Sequence, residues 1–366
     1  MMKYIDDFRN PKAAAYITKE IAGLAQRLAE AGKTANIMEV CGSHTMAIGR
    51  YAIREVLPSN VNLISGPGCP VCVTDSGYID AAVKLAEKGV IIATFGDMIN
   101  VPGSETTLAK CRSNGASIEV LYSPLGTIDL AKKYPDKEIV FLAIGFETTT
   151  APLMGLLNIL EKQNIKNISL LTSFKLIPPA LDALTSDPEL NVDAFLCPAH
   201  VSAVIGANAY EPFVEKYHIP CVIASFEPVD ILLGLMAIMR QLVDKTAFVE
   251  NLYKRIVTSE GNIKAQQVIN KYLEVYDPAW RGIGCIPKSG LKIREEYSKF
   301  DAAVRFGVEV VNGKPNLACL CGDVLKGKML PSGCPLFAKK CNPLNPIGPC
   351  MVSAEGSCAA FYKYSR

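Results

Sequence analysis

Apolar residues recur along this chain in two different periods. Residues 12–32 carry Ile17, Ile21, Leu24 and Leu28 at helical spacing and stop at Gly32, which predicts an amino-terminal helix with a glycine at its end. Beyond it the apolar residues come as short runs at 36–40, 61–65, 90–95 and 118–122, then at 139–146, 168–174, 194–198 and 221–226. The step between runs is mostly about 26–30 residues, the length of one strand and one crossover helix. Parallel sheets with right-handed crossovers are the expected result.

The two series rhyme. The first strand of each leads into a Thr-bearing turn, Cys41-Gly42-Ser43-His44-Thr45 in one and Gly145-Phe146-Glu147-Thr148-Thr149-Thr150 in the other. The fourth strands are followed by Ser123-Pro124 and Glu227-Pro228, each entering a helix. The fold expected is therefore α/β: two similar open, mainly parallel α/β units, 34–125 and 126–228, facing a central cleft lined by the loops after their strands. After residue 226 the pattern changes. Residues 229–243, 246–256 and 262–276 read as helices, and Asp277-Pro278 opens a Gly/Pro-rich, Cys-rich stretch. Residues 1–33 and 229–366 are expected to form a helical, Cys-rich domain, with a boundary near 227–250 and the amino-terminal helix packed on it.

Composition narrows the function classes. With 366 residues, 49% apolar and 20% charged, there is material for about two or three cored domains and no sign of extended disorder. A net charge of +2, with no Lys/Arg cluster interleaved with aromatics, gives no footprint for nucleic acid. Residues 1–7 lack the apolar core of a signal peptide, and the longest apolar run, 231–239, is far short of a membrane span. A cytoplasmic protein is expected, and in that compartment 13 cysteines need a reason, because disulfides rarely persist there.

The cysteines fall into sets. Cys41 ends one strand where a helix should begin, with His44 a turn away, a setting that lowers a thiol pKa and favours the thiolate as nucleophile or metal ligand. Cys69 and Cys72 form a C-x-x-C on the next strand's loop, a spacing used for reversible disulfides, for half a zinc site or for part of an Fe–S site. Cys41 and His44 could complete such a zinc site. Gly66-Pro67-Gly68 before the pair implies a close backbone approach to something, a ligand among the options. Cys319, Cys321, Cys334, Cys341, Cys350 and Cys358 form a tail set. Its six thiols exceed the four that zinc or an Fe–S cluster needs, so a cluster plus a redox pair is the economical division, with tetrahedral zinc the alternative. Cys111, Cys197, Cys221 and Cys285 are scattered and read as small buried apolar residues. Polar groups close other strands: Asp97, Glu147 to Thr150, His200 and Glu227, where functional residues of such sheets sit. No G-x-G-x-x-G or P-loop is present.

Taken together, Cys-Gly-Ser-His-Thr at 41–45, Gly-Pro-Gly-Cys-Pro-Val-Cys at 66–72, Gly-Phe-Glu-Thr-Thr at 145–149, Pro-Ala-His-Val at 198–201 and the Cys-rich tail through Gly348-Pro349-Cys350-Met351-Val352 resemble the HypD family of hydrogenase maturation factors. The resemblance covers essentially the whole chain. It implies a scaffold that joins the small partner HypC and holds iron while the Fe(CN)2CO group of [NiFe]-hydrogenase is assembled. HypE, charged with help from HypF, would supply cyanide from its C-terminal cysteine, and the finished group would pass to the hydrogenase large subunit. The matching iron-binding thiolate is Cys41, shared with the N-terminal cysteine of HypC. The resemblance also implies a [4Fe–4S] cluster in the last domain, similar to that of ferredoxin–thioredoxin reductase. Cys319, Cys334, Cys341 and Cys358 are the implied ligands, Cys321 and Cys350 the adjacent pair. Cys69 and Cys72 would relay electrons. His44, Thr148 and Thr149 are candidate donors to cyanide, with Thr45, Asp97, Glu147 and His200 as further cleft candidates. Such a scaffold is loaded and unloaded rather than turning over a free substrate. Two competing readings are a stand-alone, cluster-dependent thiol–disulfide oxidoreductase and a zinc-stabilised interaction protein.

Overall fold

The computed structural model describes residues 7–314 and 316–365. Residues 1–6, part of the stretch scanned for a signal peptide, lie outside the described residues. All eight strands read from the apolar runs are present: β1 (Ala35–Glu39), β2 (Val61–Ser65), β3 (Ile91–Thr94), β4 (Ile118–Val120), β5 (Ile139–Gly145), β6 (Ile168–Lys175), β7 (Ala194–Pro198) and β8 (Cys221–Ala224). Five more follow, β9 (Val249–Asn251), β10 (Leu273–Tyr276), β11 (Ala279–Trp280), β12 (Gly284–Cys285) and β13 (Gly290–Ile293). Among the described residues no helix is long and apolar enough to cross a membrane.

The class is α/β with mainly parallel sheets, but the sheets do not follow the expected division at 34–125 and 126–228. The first sheet has the order β2-β1-β7-β8-β9 and the second β10-β13-β6-β5-β3-β4, so each takes two strands from each half. β1 pairs in parallel with β7 (Ile37 opposite Ala194), and β3 pairs in parallel with β5 (Ile91 opposite Ile139). An apolar run says that a strand is buried on both faces; it does not say which strand lies beside it. Residues past the expected boundary also join the sheets. β9 adds to β8 in parallel, β13 adds antiparallel to β6, and β10 adds antiparallel to β13.

Two helix expectations change accordingly. Residues 246–256 hold β9 and a loop rather than a helix, and Phe248, Leu252 and Ile256 face solvent, so their spacing marked no buried stripe. The helix expected at 262–276 runs only over Ile263–Tyr272, because Leu273–Tyr276 turns extended to pair with β13.

Three packed cores result. Alternate residues of β5 (Val140, Leu142, Ile144) and of β7 (Phe195, Cys197) point into one core shared by the two sheets. The opposite residues, Ile139, Phe141 and Ala143, face a second core against the Glu147–Lys162 helix. On the outer face of the first sheet lie α1 (Pro11–Glu30) and the Pro228–Asp244 helix, where Ile17, Ile21 and Leu28 pack with Ile231, Leu235 and Ile238. Each such side chain contributes about 1.5–3 kcal/mol on burial. The amino-terminal helix thus packs on a helix from beyond residue 228, but as cover for the first sheet rather than for the Cys-rich tail. The tail itself closes over the carboxyl ends of the strands, and Cys321, Cys341, Cys350 and Cys358 belong to the shared core.

Candidate thiol site

Cys41 sits two residues beyond β1, in extended backbone (φ −148°, ψ 123°), as the N-cap of α2 (Gly42–Arg50). Its thiol is buried, which pushes its pKa up to about 12; the backbone N–H groups of His44 and Ser43 pull it down, while the carboxylates of Glu355 and Glu39 push it further up. A thiolate there needs either a metal or a nearby positive charge. Glu39 lies beneath the turn with 1% exposure. It accepts the Thr45 hydroxyl at 2.6 Å and the Cys41 N–H at 3.3 Å, and burial raises it to about 7. Thr45 is therefore occupied in holding the turn.

The second loop folds directly onto the first. The Gly42 N–H donates to the Gly68 carbonyl at 3.0 Å. A Cβ on Gly68 would fall 2.2 Å from the Cys41 nitrogen. Gly68 is there for the Cys41 backbone itself, while a Cβ on Gly66 would fall 2.8 Å from the Met38 sulfur and 3.0 Å from the Glu39 carbonyl oxygen. Cys69 caps the short Pro70–Val73 helix and is joined to Cys72 in a disulfide, which leaves neither sulfur as a free thiolate for zinc. Among the described residues, no three His, Cys, Asp or Glu side chains are arranged to hold a single metal ion.

All six tail cysteines line one small cavity whose remaining walls are apolar, Leu336, Phe337 and Met351 among them. A Cβ on Gly348 would fall 2.5 Å from the Cys319 sulfur, so only glycine leaves room for that thiol. Cys321 shares hydrogen bonds with both Cys319 and Cys350. The contact with Cys321, then burial, raises Cys319; the contact with Cys319 lowers Cys321, outweighed by Cys350 and burial; the contact with Cys321 lowers Cys350, outweighed by burial, so all three stay above their ordinary range. Burial first, then the neighbouring thiols, does the same to Cys358. An all-sulfur donor set in an apolar shell, too dispersed for one ion, fits an Fe–S cluster.

The three parts meet. The Pro349–Val352 helix, which carries Cys350, packs on the Pro70–Val73 helix, which carries Cys72. Three residues on, Glu355 accepts the Ser43 hydroxyl at 3.2 Å, and its Cβ lies where a Cβ on Gly42 would come within 2.4 Å. Ser353 donates to Asp97 at 2.9 Å, tying in the loop after β3. Glu39 and Glu355 were not singled out from the sequence. For Glu39 a signal existed, a carboxylate inside an apolar strand; for Glu355 there was none.

The remaining candidates separate by sheet. His44 is fully buried, and its Nε2 lies 3.2 Å and 3.1 Å from the carbonyls of Ala224 and Ser225, so Nε2 carries the proton and Nδ1 is bare. Burial lowers its pKa to about 4, so it is neutral at pH 7 and its one N–H is already used. It is an acceptor at Nδ1 rather than the donor expected. Phe226 separates it from His200, with ring centroids 4.8 Å and 4.1 Å away. These belong to the first sheet with Cys41. Glu147, Thr148 and Thr149 follow β5 in the second. Glu147 is buried and raised to about 7 by burial; one oxygen accepts the Ile177 N–H at 3.0 Å and the other has no partner. Thr149 packs on Gly145. Among the described residues no hydrogen bond ties these three to the Cys41 turn, although the Ala199–Ile205 helix carrying His200 packs on the Glu147–Lys162 helix. Of the scattered cysteines, Cys197 and Cys221 are buried as expected, Cys111 is half-buried, and Cys285 is exposed.

Fold and site define a class: an α/β protein of two sheets around one core, with a buried cysteine at the meeting point of a disulfide loop and a six-thiol pocket. The model of the HypD family, described as "Hydrogenase formation hypA family", matches residues 13–365. Hydrogenase maturation factor HypD of Azotobacter vinelandii is 45% identical over 373 residues, covering 100% of this chain and 97% of that protein. The factors of the same name from Cupriavidus necator and Escherichia coli K12 are 42% and 38% identical, over 100% of this chain and 98% and 99% of theirs. This chain belongs to the HypD family of hydrogenase maturation factors. Among solved structures, D-threo-3-hydroxyaspartate dehydratase from Delftia sp. HT23 covers 86% of this chain and 90% of its own at 11% identity and a TM-score of 0.13, too slight to bear on the fold.

Proposed function

We propose that this protein is a scaffold on which the Fe(CN)2CO group of [NiFe]-hydrogenase is assembled, with HypC as stable partner and HypE as cyanide donor. One observation carries the reading: Cys41 lies where the disulfide loop and the cysteine-rich tail both touch its turn. The iron of the incoming group is the cargo. Cys41 would hold it as a thiolate, with the Ser43 and His44 backbone N–H groups, already directed at the sulfur, sharing the negative charge. Glu39 fixes the turn from below, and Glu355 closes it from the tail side. The buried setting keeps water from the strong-field ligands.

A [4Fe–4S] cluster held by Cys319, Cys334, Cys341 and Cys358 would supply one-electron chemistry in the tail pocket. Cys321 and Cys350, in contact, would act as the adjacent pair. Opening the Cys69–Cys72 disulfide takes two electrons and two protons; they would come from the tail by thiol–disulfide exchange, a reading supported by the packing of the Cys350 helix on the Cys72 helix.

The test is infrared spectroscopy of the anaerobically purified protein, co-produced with its small partner. Cyanide and carbonyl stretches on low-spin iron are expected, and Cys41→Ala should remove them while the brown colour of the tail cluster stays. Bands that survive the substitution would sink the assignment. The disulfide also favours a second reading, a stand-alone cluster-dependent thiol–disulfide oxidoreductase. Turnover of a dithiol substrate without any partner, with no diatomic bands under any condition, would select it.

A further inference from the structure

Arg281 is 6% exposed, yet no carboxylate pairs with it among the described residues. Nη2 donates to the Pro102 carbonyl at 3.1 Å, and the Nε–H is buried without a partner. A buried guanidinium cannot shed its proton, so the cost of burying it must be met by an anion close by. The backbone shows where that anion lies. The Arg281 N–H donates to the Val73 carbonyl at 2.8 Å, one residue past Cys72. Gly282, at φ +74°, lies against Gly322, one residue past Cys321; a Cβ there would fall 2.4 Å from the Gly322 Cα. Trp280, 1% exposed with its indole N–H on Ser289 at 2.7 Å, anchors the other side. The arginine is thus clamped between the disulfide loop and the thiol pocket. The Gly322 backbone that packs against Gly282 follows directly on Cys321, which lines the pocket.

We propose that Arg281 is the fixed counter-charge of the six-thiol pocket: it balances the anionic centre held there and sets how readily that centre accepts an electron. This rests on the reading above, that the pocket holds a [4Fe–4S] cluster. Four thiolates leave such a cluster net negative, and one-electron reduction makes it more so by one charge. A fixed cation beside it favours the reduced form and raises the potential. A purely structural arginine would act on folding alone.

The experiment is an anaerobic redox titration of the full chain, with dithionite as the reductant, followed by absorbance and by EPR of the reduced cluster, for wild type, Arg281→Gln and Arg281→Lys. For the Gln variant the reduced-to-oxidised ratio at a fixed ambient potential should fall about tenfold, a midpoint about 59 mV more negative for a one-electron couple. Lys keeps the charge and should stay near wild type. A Gln variant that folds by circular dichroism but cannot retain a cluster, while the Lys variant can, supports the same conclusion. An unshifted Gln variant, or equal shifts for Gln and Lys, overturns the role of the charge. Wild type without iron–sulfur absorption overturns the cluster reading instead.

Discussion

A buried carboxyl and a buried imidazole here pull stability in opposite directions with pH. Glu147 goes from an ordinary pKa of 4.5 to about 7 in the fold, because burial penalises its charge. Between those values the folded protein holds more protons than the unfolded one, so this group's contribution falls as pH rises from about 4.5 to 7 and stays lost above. Glu147→Gln keeps the acceptor for the Ile177 N–H and removes the charge. It should stabilise by about 1–2 kcal/mol at pH 8 and show no gain near pH 5, read from urea midpoints at the two pH values. His44 runs the other way. Its pKa drops from 6.5 to about 4, so the unfolded state takes up the proton first, and stability is lost as pH falls through that window. Residue identity made both visible as candidates. What the sequence did not carry was their state, since it is set by burial in the folded chain and their partners, Ile177, Ala224 and Ser225, come from distant stretches of it.

At the scale of elements, Gly68 shows what a motif's small residues are for. A methyl group on it would collide with the Cys41 nitrogen and carbon skeleton, not with a flexible side chain. Gly68→Ala should therefore push the two thiol loops apart, at a cost of about 2–3 kcal/mol. Unfolding midpoints should fall and Cys41 should alkylate faster; an unchanged alkylation rate would show that the loops do not depend on this contact. The strands themselves were legible, all eight within a residue or two, because parallel strands buried on both faces leave continuous apolar runs. Edge elements were not. β9 is half-buried throughout, and β10 owes its extended form to β13, which lies beyond a break at Asp277-Pro278. Local pattern cannot report a pairing whose other half is elsewhere.

For the whole molecule the decisive fact is that neither sheet belongs to one half of the chain. The rhyme between the two strand series is present in the sequence, yet the sheets exchange strands across it. Residues 34–125 hold β1 and β2 from one sheet and β3 and β4 from the other, each pair with an open edge where β7 or β5 belongs. A fragment of those residues should not fold alone: circular dichroism should show little cooperative melting, and amide exchange should show no protected core. A stable, cooperatively melting fragment would revive the division into two consecutive units. The thiol site was legible as a set of cysteines. Its assembly was not, because Glu355, Ser353 and Arg281 reach it only through this interleaving.

The pairing of β1 with β7 also has a consequence in time. The Asn36 N–H and its acceptor, the Asp193 carboxylate, are separated by 157 residues. At about 5–20 residues per second, a ribosome that has made Cys41 needs roughly 8–30 s more before β7 emerges to cover it. The tail that completes the site is made later still. Throughout that interval Cys41, Cys69 and Cys72 lack the cover that the folded chain gives them, so the choice between thiol and disulfide is settled only once the later strands and the tail have been made.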